Sequence, residues 1–138
     1  MAKKTKAYLD TGALISFRDR SDSFHPLFVQ LFSDPPPLVT ISLVIAEGHG
    51  WFLRRYDRTR ALQFLDFVKE LRVLEIVPVG QEVIAGATAL LQRFSDQDLT
   101  LADACGLWLM QRQRVTACWS TDRHLGLTGV PLVIHEKG

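Results

Sequence analysis

The chain has 138 residues, of which 47% are hydrophobic and 22% are charged, and its formal net charge is +1 at pH 7. This length predicts one domain spanning residues 1–138, and the composition excludes long disordered stretches. A net charge so close to zero excludes a general attraction to nucleic acid or to membranes. Any nucleic-acid site must therefore come from local charge or from a bound metal.

The sequence also bears on the compartment. No apolar run reaches the ~18 residues needed to cross a bilayer, and too few apolar residues follow the basic N-terminus to form a signal-peptide core. Cys105 and Cys118 lie in apolar segments and form no CxxC pair, so we expect reduced thiols in the core. These features predict a soluble, cytoplasmic protein without a membrane partner.

Short apolar segments alternate with longer amphipathic ones along the chain. The predicted strands are residues 7–9, 38–41, 73–79, 115–120 and 130–134. The predicted helices are residues 13–17, 23–32, 42–56, 58–71, 81–94 and 99–110, with one helical turn at 123–125. Strands that alternate with helices predict the α/β class, with a mostly parallel sheet of five or four strands covered by helices on both faces.

Four acidic residues interrupt apolar segments: Asp10, Glu47, Asp103 and Asp122. Burying an ionised carboxylate is costly unless hydrogen bonds, an opposite charge or a metal compensates it. Asp10 and Asp122 follow predicted strands, and ligands bind at the carboxyl edge of parallel sheets. Glu47 and Asp103 lie in the first turns of helices that begin at or near the same edge. The pattern predicts that the four carboxylates share one pocket and hold a divalent metal.

A metal in such a pocket would suit phosphodiester chemistry. A divalent ion polarises a phosphoryl oxygen, activates water and neutralises charge that develops on a phosphate. Without the ion, an acid-lined pocket would repel a phosphodiester. Metal dependence is therefore part of the prediction, and the four acids are the candidate catalytic and metal-binding residues.

Each acid also has a structural interpretation that needs no metal. Asp10 and Asp122 are suited to capping the helical segments that follow them. Asp103 stands three residues after Thr100, as in a capping box. Glu47 would pair with an arginine further along its helix or interact with the helix dipole. That all four structural interpretations hold together is less expected than that any single one does.

Each of the four acids lies in a short segment of its own. The segments are YLDTGALI at 8–15, SLVIAE at 42–47, LTLADA at 99–104 and WSTDRHL at 119–125. Each motif is loose alone, but their order and spacing over nearly the whole chain resemble the PIN domain family, and within it the toxins of bacterial VapBC toxin–antitoxin pairs. The resemblance implies a PIN-like three-layer α/β/α sandwich.

The resemblance also implies an activity: hydrolysis of single-stranded or loop RNA by water activated by Mg²⁺ or Mn²⁺. The family's acidic residues correspond to the same four acids, with Asp122 bound more weakly or indirectly. Thr121 corresponds to a hydroxyl residue near the metal, and Thr11 would orient Asp10, although both are equally suited to capping helices. The toxins of this family commonly form homodimers and are inhibited by an antitoxin tail, which implies both partners here.

Four arginines surround Asp57 and give a local net charge of +3: Arg54, Arg55, Arg58 and Arg60. They could contact RNA phosphates, which would add a salt-sensitive and sequence-independent contribution to binding. A solvated junction between two helices is the alternative interpretation.

Other residues keep two interpretations. Gly48 and Gly50 each cost a helix interior up to ~1 kcal/mol relative to alanine, so either the backbone comes close to something at these positions or the helix is irregular. Asp98 is an auxiliary acid or a solvated loop residue.

Four aromatic residues of the predicted helices 42–56 and 58–71 form the core or line a groove for a partner: Trp51, Phe52, Phe64 and Phe67. The histidines lack ligand spacing, so we expect non-metal roles for them: His25, His49, His124 and His135.

Two other functions compete with the nuclease. A non-catalytic PIN module that binds RNA or protein would have no evident use for clustered carboxylates. A phosphohydrolase of the haloacid dehalogenase type would use Asp10 as a covalent nucleophile, but that chemistry expects a second aspartate two positions later, where this chain has Gly12.

Overall fold

The computed structural model describes residues 5–135, and a four-stranded sheet lies at its centre. All strand pairs are parallel, and the strand order is β3-β2-β1-β4. The strands are β1 (Ala7–Leu9), β2 (Leu38–Ile41), β3 (Leu74–Val77) and β4 (Ala117–Trp119). Because the chain adds strands on one side of β1 and then returns to its other side, the carboxyl end of β1 is the switch point where ligands bind in open α/β sheets.

Six helices cover the sheet: α1 (Thr11–Arg18), α2 (His25–Phe32), α3 (Ser42–Arg55), α4 (Arg58–Glu70), α5 (Gln81–Arg93) and α6 (Leu101–Gln113). The first four pack on one another, and α5 packs on α6. Since parallel crossovers are right-handed, the change of direction between β3 and β4 places the two groups on opposite faces. The predicted α/β/α sandwich is confirmed, with four strands. Within residues 5–135, no helix is both long enough and apolar enough to cross a bilayer.

The core lies around the two central strands. Every residue of β1 and β2 is buried, as strands covered on both faces require. β3 is an edge strand, and two of its four residues are exposed. Cys105 and Cys118 are both buried and free, which agrees with their prediction as core thiols.

The fifth predicted strand, at residues 130–134, is wrong. Leu132 forms only an isolated bridge with Cys118, and a 3₁₀ turn, Val133–His135, follows at once. The Pro131 carbonyl accepts a hydrogen bond from the Cys118 amide at 2.9 Å, but proline has no amide hydrogen with which to continue a ladder. The chain therefore touches the edge of β4 at one position and turns away.

The helix α3 runs unbroken through both of its glycines. A Cβ atom added at Gly48 would overlap the ring of Phe64 on α4, so this glycine lets the two helices approach closely. At Gly50 the nearest atom to an added Cβ is a guanidinium nitrogen of Arg54, at 3.0 Å. Of the two alternatives that the sequence left open at Gly48, close approach is the one observed. That packing holds α3, and with it Glu47, against the rest of the domain.

We expect Gly48→Ala to destabilise the protein by about 1–3 kcal/mol, because the methyl group would push the Phe64 ring out of a packed core. Gly50→Ala is the matched control on the same helix: the atom it would crowd is the end of a flexible, exposed side chain. The control should be neutral or stabilising by up to ~1 kcal/mol through its better helix propensity. Urea unfolding followed by circular dichroism measures both, and equal effects would contradict the close-packing explanation.

Candidate metal centre

Four carboxylates from four parts of the fold line one open cavity of about 400 Å³. Asp10 directly follows β1, and Asp122 lies three residues beyond the end of β4. Asp103 lies in the first turn of α6, and Glu47 lies in the second turn of α3 rather than in the first. All four acids that the sequence singles out thus line this cavity, and of the four, Asp103 and Asp122 belong to a group whose ligand atoms lie within 4.8 Å of one another.

Asp10 occupies the N-cap position of α1, yet its side chain makes no capping hydrogen bond. Its Oδ2 instead accepts a hydrogen bond of 2.7 Å from the hydroxyl of Ser120, which is fully buried. Burial raises the pKa of Asp10 to about 6, and the nearby charges of Asp103 and Asp122 act in the same direction. Hydrogen bonds from Ser120 and from the Thr11 backbone oppose the rise. The simple capping interpretation therefore fails for this residue.

Asp103 does form the capping box with Thr100. Its amide donates to the Thr100 hydroxyl at 3.1 Å, and its Oδ2 accepts from the Thr100 amide at 3.3 Å. A carboxylate offers about four acceptor positions on its two oxygens, so this cap leaves room for a further ligand. The ligand atoms of Asp103 and Asp122 lie within 4.8 Å of each other, and burial together with the charge of Asp122 raises the pKa of Asp103.

Asp122 also has a structural role. Its Oδ1 accepts from the His124 amide at 3.0 Å and caps the 3₁₀ turn Arg123–Gly126. The same oxygen lies 3.2 Å from the Nδ1 atom of His124. Potential ligand atoms of Asp103, Asp122 and His124 lie within 4.8 Å of one another. The sequence did not predict this place for His124, because a two-residue spacing across a turn is not a recognised ligand spacing.

Glu47 is exposed at the mouth of the cavity and accepts a hydrogen bond of 2.9 Å from the hydroxyl of Thr11. Among residues 5–135, no lysine or arginine forms an ion pair with Glu47, so pairing with Arg54 or Arg55 is not observed. The Thr11 hydroxyl thus orients Glu47, and it is the Thr11 backbone that hydrogen-bonds to Asp10.

The side chain of Ser120 holds the carboxylate of Asp10, a contact that the sequence did not predict. Besides donating to Asp10, its hydroxyl accepts from the Asp122 amide at 2.9 Å, so one buried side chain fixes two parts of the cavity. One sequence feature could have identified Ser120: it is a small polar residue between an apolar strand and a candidate acid. Thr121 lines the cavity as well, and its hydroxyl fills the space that a Cβ at Gly12 would need.

The four arginines predicted as a possible RNA contact do not act as one group. Of the four, only Arg54 lines the carboxylate cavity. Arg60 lies 4.3 Å from the centre of the Tyr56 ring and lines a separate cavity of about 790 Å³. The guanidinium carbon of Arg55 lies 5.4 Å from the Tyr56 ring centre, and Arg58 is exposed at the start of α4.

The donor set fits a hard divalent cation. In the described part of the chain, no lysine or arginine neutralises Asp10, Glu47 or Asp103 through an ion pair, and the raised pKa values of Asp10 and Asp103 reflect burial and mutual repulsion. Several carboxylate oxygens facing one open cavity are the ligands that Mg²⁺ and Mn²⁺ favour. The arrangement offers a place to concentrate positive charge beside a phosphate.

Solved structures share this fold. VapC20 of Mycobacterium tuberculosis, a toxin that cleaves the sarcin-ricin loop, matches with a TM-score of 0.82 at 18% identity, over 90% of this chain and 95% of that one. FitAcB from Neisseria gonorrhoeae matches with a TM-score of 0.70 at 11% identity, over 91% and 95%. A toxin–antitoxin complex from Klebsiella pneumoniae matches with a TM-score of 0.63 at 20% identity, over 92% and 95%. Identities this low establish the common fold alone.

Sequence comparison identifies the family. The search of curated proteins found no significant match. The sequence profile of the PIN domain, in contrast, matches residues 7–129, a span that contains all four carboxylates and Ser120. The profile covers most of the chain, and the four-stranded sandwich agrees with it. The chain therefore belongs to the PIN domain family.

Proposed function

We propose that this protein is a metal-dependent endoribonuclease and the toxin of a VapBC-type pair. The observation that carries the proposal is the convergence of four carboxylates in one cavity, at the carboxyl end of β1, without ion pairs to lysine or arginine among residues 5–135. Membership of the PIN domain family supports a nuclease. A protein that only binds a partner would gain nothing from gathering four carboxylates that repel one another.

Each acid has a different part in holding Mg²⁺ or Mn²⁺. Asp10 is partly buried and oriented by Ser120, so it is the most firmly placed donor. Asp103 adds a second carboxylate from α6, and Glu47 adds a third, oriented by Thr11. Asp122, to which the PIN resemblance assigns weaker or indirect binding, would complete the set while its Oδ1 also accepts from the His124 amide. When bound, the ion would polarise a phosphoryl oxygen and lower the pKa of a water molecule.

The substrate and partners follow from the same reasoning. VapC20 cleaves an RNA loop, which supports RNA as the substrate of this chain. A Klebsiella neighbour is a toxin–antitoxin complex, and a Rickettsia felis neighbour is a VapBC complex, which supports a cognate antitoxin. A homodimer and action in the cytoplasm complete the proposal.

We expect Asp10→Asn and Asp103→Asn each to reduce Mg²⁺-dependent RNA cleavage by at least about 100-fold, because each removes a negative ligand while keeping the side-chain shape. Asp98→Asn is the control, since Asp98 is an exposed acid that does not line the cavity. The measurement is cleavage of a panel of structured RNAs with and without Mg²⁺ or Mn²⁺, with circular dichroism as the test of folding. Cleavage by the purified protein that persists in excess chelator would refute the proposal. RNA binding without any metal-dependent turnover would favour the non-catalytic alternative.

Metal binding should weaken as the pH falls through about 6, because Asp10 has a pKa of about 6 and the proton competes with the ion. Below that pH the affinity for Mg²⁺ should fall by up to ~10-fold per pH unit. Ser120→Ala removes a hydrogen bond that favours the ionised form of Asp10, so it should move this loss to higher pH. Isothermal titration with Mg²⁺ at pH 5, 6 and 7.5 tests both statements. A pH-independent affinity would contradict the role given to Asp10.

A further inference from the structure

An aromatic side chain forms one wall of the carboxylate cavity. Trp51 stands four residues after Glu47, one turn further along α3, and it lines the same cavity as the four acids. Its side chain is partly buried, whereas its neighbour Phe52 is fully buried in the core. The indole therefore lies between the core and the position where a substrate would approach the carboxylates.

The indole is held in place, but neither of its aromatic neighbours stacks on it. Phe52 meets it edge to face, with ring centres 4.9 Å apart and an interplanar angle of 84°. Tyr56 lies 6.1 Å away at 69°. A ring that is fixed by edge contacts loses little conformational freedom when a further ring stacks on it. Trp51 thus has the properties of a stacking platform.

A guanidinium group accompanies the indole. Arg54 is exposed, lines the same cavity and forms no ion pair with another residue of the described range 5–135. One of its nitrogens lies 3.0 Å from the position that a Cβ at Gly50 would occupy. The missing side chain at Gly50 thus leaves room for Arg54 to fold back along the helix. A positive, bidentate donor and a flat aromatic ring therefore line the same acidic cavity.

The chemistry of this pair matches that of one nucleotide, which has a flat base and a charged phosphate. Aromatic rings bind bases by stacking, largely independently of sequence, and guanidinium groups bind phosphates in a bidentate manner. A base within a duplex is already stacked on its neighbours, so only an unpaired base is available. An acidic cavity also repels the phosphate backbone, and a nearby cationic side chain offsets that repulsion.

We propose that Trp51 and Arg54 form a nucleotide subsite, in which Trp51 stacks on an unpaired base that flanks the scissile phosphate and Arg54 contacts an adjacent phosphate. The subsite rests on the proposed nuclease function and narrows its substrate to RNA with an unpaired base beside the cut. Base identity matters little there, because every base has a face on which the indole can stack.

The decisive test changes the protein and the RNA together. A short single-stranded RNA is first mapped for its cut site, and abasic versions are then made at the two bases that flank the cut. For the wild type, loss of the stacked base should lower kcat/KM by about 10-fold to 100-fold. Trp51→Ala should lose a similar factor on the intact RNA and lose nothing further on the abasic RNA. Trp51→Phe should retain most of the activity.

One control variant tests for a general effect of substitutions on α3, and one further variant tests the contribution of Arg54. Leu53→Ala removes another exposed apolar side chain from α3, outside the cavity, and should leave kcat/KM unchanged. Arg54→Gln should raise KM by about 3-fold to 10-fold and reduce the salt dependence of RNA binding by about one phosphate contact. If Trp51→Ala and the abasic RNA each lower kcat/KM and their effects multiply when combined, the subsite is overturned, because the two changes would then not act on one contact.

A measurement without turnover separates this proposal from the nuclease function. Fluorescence is recorded for Asp103→Asn, which cannot cleave RNA in this proposal, and for Asp103→Asn combined with Trp51→Phe. The difference between the two spectra is the emission of Trp51. A single-stranded RNA is then added to both proteins. Quenching by single-stranded RNA, with much less quenching by a duplex of equal length, supports the subsite even if no RNA is cleaved. No quenching, or a Trp51→Ala variant that changes only the oligomeric state in gel filtration, overturns the subsite and leaves the nuclease proposal standing.

Discussion

Carboxylates repel one another at the carboxyl end of β1, and the neighbouring polar residues hold them there against that repulsion. Asp10 lies closest to the sheet, and burial together with the charges of Asp103 and Asp122 raises its pKa to about 6. Bringing like charges into one cavity costs free energy that hydrogen bonds offset only in part. A compact divalent cation is the natural compensation. The polar contacts from Ser120 and Thr11 act to hold the acids in place while they repel each other.

The helix α3 transmits core packing to this site. Gly48 faces the Phe64 ring, so the helix lies close to α4 and cannot shift without a clash. The residue before Gly48 is Glu47, and Trp51 follows within one turn. Close packing in the core therefore sets the position of one acid and of the aromatic wall together.

Two of the acids combine a structural role with a place in the cavity. Asp103 completes a capping box and Asp122 caps a 3₁₀ turn, yet both also face the cavity. A cap uses only part of the acceptor capacity of a carboxylate, so it fixes the side chain without consuming it. The capping and metal-binding interpretations of an acid are thus not exclusive. Asp10 differs, because its side chain makes no cap at all.

The amino-acid sequence alone determined the fold class and pointed to the four acids, because period and composition specify local elements and a charge within an apolar segment requires an explanation. It did not reveal that Ser120 orients Asp10 or that the Thr11 hydroxyl orients Glu47. The false fifth strand had a similar cause: its residues favour strand locally, but Pro131 and the edge of β4 allow only one bridge. These contacts follow from the packing of sheet and helices, because the hydrogen-bonded residues are 110 and 36 positions apart in the chain. No local pattern encodes such distances.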